Sequence, residues 1–216
     1  MPSQRQQLLR DIQGKLKQHY GEADAPLPHD PFDALCLAIL RQNSEPEKSE
    51  AALRMLKQNG IASSEAVRGI APDRLVELLK ALPQAKNKAQ RLQRIFAWLE
   101  ARFADSFAAL QSISTESLHE DIIQLPGIGP ETADQILLYG FGRARFPVNQ
   151  AAYRILSRHY LIGEDAEYTE IQEVLQSVSE AAADYRELRA GLKKLAQQHC
   201  RAQPDCDTCP LNGLNW

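Results

Sequence analysis

Apolar residues recur along most of the chain at alternating spacings of three and four. The pattern runs through "LLRDIQGKLKQHY", "DALCLAILRQ", "EAALRMLKQ", "DRLVELLKAL", "AQRLQRIFAWLEARF", "SLHEDIIQL", "ETADQILLYGF", "AAYRILSRHYL", "TEIQEVLQSVS" and "YRELRAGLKKLAQQH". It predicts about ten amphipathic helices. Proline and glycine clusters separate them, as in "GEADAPLPHDP", "NGIASS", "LPQAKN", "LPGIGP" and "RARFPV". Ser63, Asp73 and Thr169 stand where capping residues start helices. No run alternates apolar and polar residues as a strand would. The expected fold class is all-α.

The 216 residues are 44% hydrophobic and 25% charged, enough for one large domain or two small lobes. Apolar runs such as "ALCLAIL" fall far short of the roughly 20 residues of a membrane span. The N-terminus lacks the apolar block of a secretion signal. These features predict a cytoplasmic monomer with no membrane partner. The net charge of -3 argues against a nucleic-acid binder when taken alone. Its distribution changes that picture. From Leu138 to Gly163 there is no acid, but there are Arg143, Arg145, Arg154 and Arg158. A second basic run, "KNKAQRLQR", reads more simply as a solvated helix face.

The segment "LPGIGPETA" places a short turn between two helical patterns. Gly127 and Gly129 permit a tight turn and a close backbone approach. Pro130 suits the first helical position. The free N–H groups of the second helix, at the positive end of its dipole, then form an anion site. Leu125 and Ile128 complete the turn, with Ile128 plugging between the helices. An ordinary helical hairpin is the competing reading.

Together, "LPGIGPETADQILLYGFG", the proline-containing loop after it and "VNQAAYRIL" resemble the helix-hairpin-helix DNA glycosylases of the endonuclease III-like superfamily. "HDPFDALCLAILRQNSEPEKSEAAL" and "AKNKAQRLQRI" extend the likeness from about His29 to Cys209. The words "GIGPETAD" and "LRQN" look closest to the 3-methyladenine glycosylase branch. The resemblance implies two helical lobes with double-stranded DNA in the cleft between them. One lobe would span about 27–135, and the other 1–26 plus 136–216. It further implies that the hairpin, with a monovalent cation, holds a DNA phosphate. Gln42, with Asn43 beside it, would fill the gap left by a flipped base. Arg143 and Arg145 are the basic residues nearest the loop, and Tyr153 is the candidate for contacting the base. Tyr139 is expected in the core.

Two positions depart from the family pattern. Bifunctional members carry a lysine nucleophile where this chain has Glu131, and a carboxylate cannot form an imine. The nearest lysines, Lys88 and Lys193, show no surrounding apolar sequence that would depress an amine pKa. No lyase activity is expected. The family aspartate, which activates water or stabilises the sugar cation, is replaced by Asn149. An amide is a poor base, but it can orient water, and it caps helices well. Three explanations stay open. The chain could be a divergent binder that excises poorly. It could be an enzyme for cationic alkylpurines, which need little help to leave. Or the amide could be a deliberate substitution that traps an enzyme on its substrate. The expected function is a monofunctional DNA N-glycosylase acting on flipped alkylated purines. The alternative is a glycosylase homologue that binds damaged or kinked DNA without excision.

Cys36 lies in an apolar run and reads as core. The tail "HCRAQPDCDTCPLNGLNW" resembles the family's iron–sulfur loop, here spanning 200–209. Cys200, Cys206 and Cys209 remain, but the fourth position falls at Asn215, and four thiolates are the usual complement. A vestigial loop without metal is favoured over a three-cysteine cluster, over zinc with His199, and over a disulfide in the cytosol.

Overall fold

A computed structural model describes residues 3–21 and 30–214; His29, the 26/27 lobe limit and Asn215 lie outside them. The described residues form an all-α fold. Its helices are α1 (Gln4–Tyr20), α2 (Pro31–Leu40), α3 (Pro46–Gln58), α4 (Ser64–Gly69), α5 (Pro72–Leu78) and α6 (Ala85–Phe103), then α7 (Thr115–Ile123), α8 (Pro130–Gln135), α9 (Gln150–Arg158), α10 (Tyr168–Gln176) and α11 (Ala182–Gln198). A π-turn, Ile136–Gly140, continues α8 without a break. None of these helices is long and apolar enough to cross a membrane.

Local chemistry sets most helix starts. Ser63 caps α4 by accepting from the Ala66 N–H at 3.2 Å. Asp73 does not cap α5. Pro72 takes the first helical position, where its missing N–H costs nothing, and Asp73 falls in the first turn. Thr169 also lies inside its helix, because α10 begins at Tyr168 after Glu167.

The described chain divides into two compact units, one of residues 3–21 and 144–214, the other of 30–143. The second limit falls at 143/144 rather than at 135/136. The reason is Gly140. A Cβ there would sit 3.2 Å from Leu35 Cδ1 and 3.4 Å from Leu35 Cα. Its absence lets the π-turn lie directly on α2 and ties 136–140 into that unit. In the other unit α1 packs on α11, burying Leu9, Ile12 and Leu16 near Leu188, Leu192 and Leu195.

The core of the 30–143 unit is built around α2 and α6. Leu35, Cys36, Ile39 and Leu40 are buried with Leu92, Ile95, Phe96 and Leu99. Cys36 is a core residue, and burial pushes its thiol pKa well up. Tyr139, expected in the core, is only half-buried, because it lies on the less covered side of the π-turn.

One buried residue was not expected. The Lys88 side chain is 1% exposed. Its Nζ donates to the Gln42 carbonyl at 2.5 Å and to the Pro83 carbonyl at 3.0 Å. Burial, and secondarily the Arg91 charge, lowers its pKa from 10.5 to about 8. Nothing local marks this, because the Pro83 carbonyl is five residues away but the Gln42 carbonyl comes from a turn 46 residues distant. The depressed pKa means that between about pH 8 and 10.5 the unfolded chain binds more protons at this site than the folded one. This group's contribution to stability therefore rises with pH across that window. Urea unfolding of wild type and Lys88→Met between pH 8 and 10 should show a shallower rise in the variant; parallel curves would contradict the shift. Lys88→Ala should cost about 2–4 kcal/mol, from the void and two stranded carbonyls.

Candidate nucleic-acid interface

The turn between α7 and α8 is closed by the Ile128 N–H, which donates to the Leu125 carbonyl at 3.0 Å. Ile128 is 4% exposed and belongs to the core, so only its main chain is left for a ligand. Leu125 packs partly against the same core. Gly127 has φ +78°, a left-handed conformation that other residues adopt at a cost. Gly129 is different. Its φ of -93° suits any residue, and a Cβ there would meet nothing within 4 Å. The amides that open α8 have no intrahelical acceptor and lie at the positive end of the helical segment.

Two arginines of α6 hold this turn. Arg91 Nε donates to the Gly127 carbonyl at 3.0 Å, and Arg94 Nη1 donates to the Pro126 carbonyl. Both belong to the basic run read from sequence as a solvated face, a reading the structure overturns. A hairpin cation would have to find carbonyls other than these two. No ion pair is recorded for Lys88, Arg91 or Arg94 among the described residues. Burial, followed by the charge of Arg94, lowers the Arg91 pKa.

Gln42 lies just past the end of α2 and is 7% exposed. Arg91 Nη1 donates to its Oε1 at 2.7 Å, and its Nε2 is buried with no partner. It is therefore withdrawn, not projecting as a gap-filling residue would. The neighbour that faces solvent is Asn43, in the left-handed region at φ 51°.

On α8, Glu131 accepts from Gln135 Nε2 at 2.9 Å. Asp134 is fully buried, with His119 Nε2 3.4 Å away on α7. Neither carries an amine.

In the other unit, Asn149 caps α9. Its Oδ1 accepts from the Ala152 N–H at 3.0 Å. The loop before it is held by polar side chains of α10. Tyr168 Oη accepts from the Val148 N–H at 3.2 Å, and Gln176 Oε1 accepts from the Phe146 N–H at 2.8 Å. Buried Gln172 donates to the Phe146 carbonyl at 2.7 Å. Sequence reading missed all three, whose only signal was polarity on an otherwise apolar helix face. Tyr153 is half-buried, and its hydroxyl donates to the Glu164 carbonyl.

The acid-free window mostly serves structure. Arg143 Nη2 donates to the Leu110 carbonyl at 2.6 Å. Arg154 Nε donates to the Cys200 carbonyl at 2.7 Å, and Arg158 reaches the carbonyls of Arg201 and Ala202. Arg145 is half-buried.

The cysteine loop does not fit a four-thiolate cluster. Cys200 is buried, with its Sγ 3.2 Å from Arg158 Nη1. Burial, and then the neighbouring thiols, raises the Cys209 pKa. No group of three or more candidate ligands converges among the described residues. Thr208 instead ties the loop to Asp205, 2.7 Å away, and to His199, 3.3 Å away. Protein purified without oxygen should show no brown iron–sulfur absorbance; stoichiometric iron and sulfide would contradict this.

No protein-family profile matches the chain. A Methanocaldococcus jannaschii protein named as a candidate DNA repair glycosylase is 27% identical over 207 residues, covering 95% of this chain and 94% of its own. Among solved structures, an endonuclease III in a non-covalent DNA complex superposes with TM-score 0.77 at 19% identity, covering 100% and 96% of the two chains. The Helicobacter pylori 3-methyladenine DNA glycosylase bound to 1,N6-ethenoadenine gives TM-score 0.71 at 22% identity, covering 90% and 97%. The relatives of this chain in sequence and its neighbours in fold are endonuclease III-like helix-hairpin-helix DNA glycosylases, a 3-methyladenine glycosylase among them.

Proposed function

We propose that the protein is a base-excision-repair N-glycosylase that removes alkylated purines from duplex DNA without cutting the strand. The observation that carries this is the hairpin turn, with Gly127 left-handed and its carbonyls spent on Arg91 and Arg94. That arrangement leaves the amides opening α8 for a phosphate. The scissile bond is buried in stacked duplex, so the base must be flipped out first. Asn149 carries no charge to stabilise a sugar cation. A purine already cationic from N3 or N7 alkylation leaves with the least help, and the Asn149 amide can orient the attacking water near the sugar. Glu131 offers no amine, so an imine is not expected. Lys88 is too buried and too engaged by two carbonyls to supply one.

Release of free base from methylated duplex above a buffer control is the direct test. A folded protein that releases none would sink the enzymatic reading. The second reading is a binder of damaged DNA, favoured by Asn149 spending its oxygen on the helix cap. Asn149→Asp separates the two. Aspartate caps equally well, so stability should change by less than about 0.5 kcal/mol. Excision that appears only in the variant identifies the native chain as a binder; equal excision shows that the charge is not required.

The two glycines give separate outcomes on binding. Gly129→Ala meets no protein atom, so a loss of DNA affinity at low salt with unchanged folding would place a ligand there. Unchanged affinity would remove the phosphate from that site. Gly127→Ala should also destabilise the fold by about 1–2 kcal/mol, since its φ is left-handed and its Cβ would lie 3.0 Å from Arg94 Nη1. Borohydride should trap no covalent adduct with abasic-site DNA; a trapped adduct would mean that another amine reaches the sugar.

A further inference from the structure

Within the 30–143 unit, one guanidinium touches both elements read as DNA-contacting. Arg91 holds the hairpin through Nε, 3.0 Å from the Gly127 carbonyl, and the Gln42 side chain through Nη1, 2.7 Å from Oε1. We infer that Arg91 is a latch: it keeps Gln42 withdrawn in the DNA-free protein and releases it when a phosphate occupies the hairpin. This rests on the DNA-binding reading above and adds to it the order in which the two elements engage.

Three observations support the latch. First, the withdrawn pose of Gln42 is only half satisfied. Its Oε1 has Arg91, but its Nε2 is buried without a partner, a loss that disfavours the pose. One contact therefore opposes release. Second, that contact is a weak use of a cation. No carboxylate is recorded with Arg91, and burial disfavours its charge. A phosphate oxygen is a stronger acceptor for guanidinium than a neutral amide oxygen. Arg91 is already at the turn, so exchanging Gln42 for a phosphate needs only its terminal nitrogens to move. Third, the main chain at Gln42 is anchored separately from its side chain. Lys88 anchors the Gln42 carbonyl, so release is a side-chain event on a held backbone. Arg91 is thus a positioning residue, acting through Gln42.

The latch predicts a coupling that simple charge attraction does not. The full chain is titrated at low salt with a duplex carrying a tetrahydrofuran abasic analogue. Gln42→Ala should weaken binding in the wild-type background. In Gly129→Ala, where the added methyl meets no protein atom but would crowd a phosphate on the hairpin, Gln42 stays latched and its removal should cost little. The two effects should therefore fall short of additivity by at least about 5-fold in affinity. In Arg91→Met, Gln42 is free in both backgrounds and the effects should become additive. Arg91→Lys keeps the charge but lacks the second arm. It should retain the salt dependence of binding while losing the coupling. Additive effects in the presence of Arg91, or unchanged coupling in Arg91→Met and Arg91→Lys, would overturn the latch and leave DNA binding intact. Failure of the wild-type chain to bind the duplex would overturn the DNA reading, and the latch with it.

Discussion

Three cationic side chains along one edge of α6 hold main-chain carbonyls instead of carboxylates, and the candidate interface depends on that choice. Lys88, Arg91 and Arg94 follow one another at three-residue intervals, so they share a helix edge. Leu92, Ile95, Phe96 and Leu99 lock the adjoining face into the core and fix where that edge points. Lys88 ties down the turn after α2, and the two arginines tie down the hairpin. Carbonyls satisfy the donors without cancelling the charge. A chain of net charge -3 thus keeps a local positive field beside the hairpin. An acid in place of any of these carbonyl contacts would hold the loops equally well and remove the field.

The 144–214 unit solves a different problem at Asn149. A helix start needs an oxygen to accept an early N–H, and Asn149 supplies it to Ala152. Aspartate would satisfy the same geometry and add a charge. The structural requirement and the electrostatic one are separable here, since an uncharged residue keeps the helix while removing the charge from the position. The loop leading to it is held for a related reason. Its buried backbone groups would be costly if unpaired, and Gln172, Gln176 and Tyr168 pair them.

The cysteine loop is held by hydrogen bonds. Arg154 and Arg158 bond to the carbonyls of residues 200–202, and the Asp205–Thr208–His199 contacts tie the rest to the end of α11. Hydrogen bonds to charged groups contribute about 1.5–3 kcal/mol each. A few of them can hold a short segment.

Sequence alone determined the helices, the all-α class, the hairpin turn and the capping competence of Asn149. All of these depend on residues a few positions apart: the 3.6-residue period, glycine at a left-handed turn, proline at a first helical position, an amide at an N-cap. Tertiary structure decided which charges matter. The run at 86–94 reads locally as a solvated face, but Arg91 reaches Gly127 and Gln42 across 36 and 49 residues. The window around Arg143, Arg154 and Arg158 reads as a grip for DNA, but these side chains are bonded to carbonyls 33 to 46 residues away. Lys88 carries no local mark of burial, because its enclosure is completed by a turn 46 residues distant. A charged side chain has no period and no preferred turn. Its role is fixed by which carbonyl the fold brings within about 3 Å, and that distance is set by the packing of whole helices.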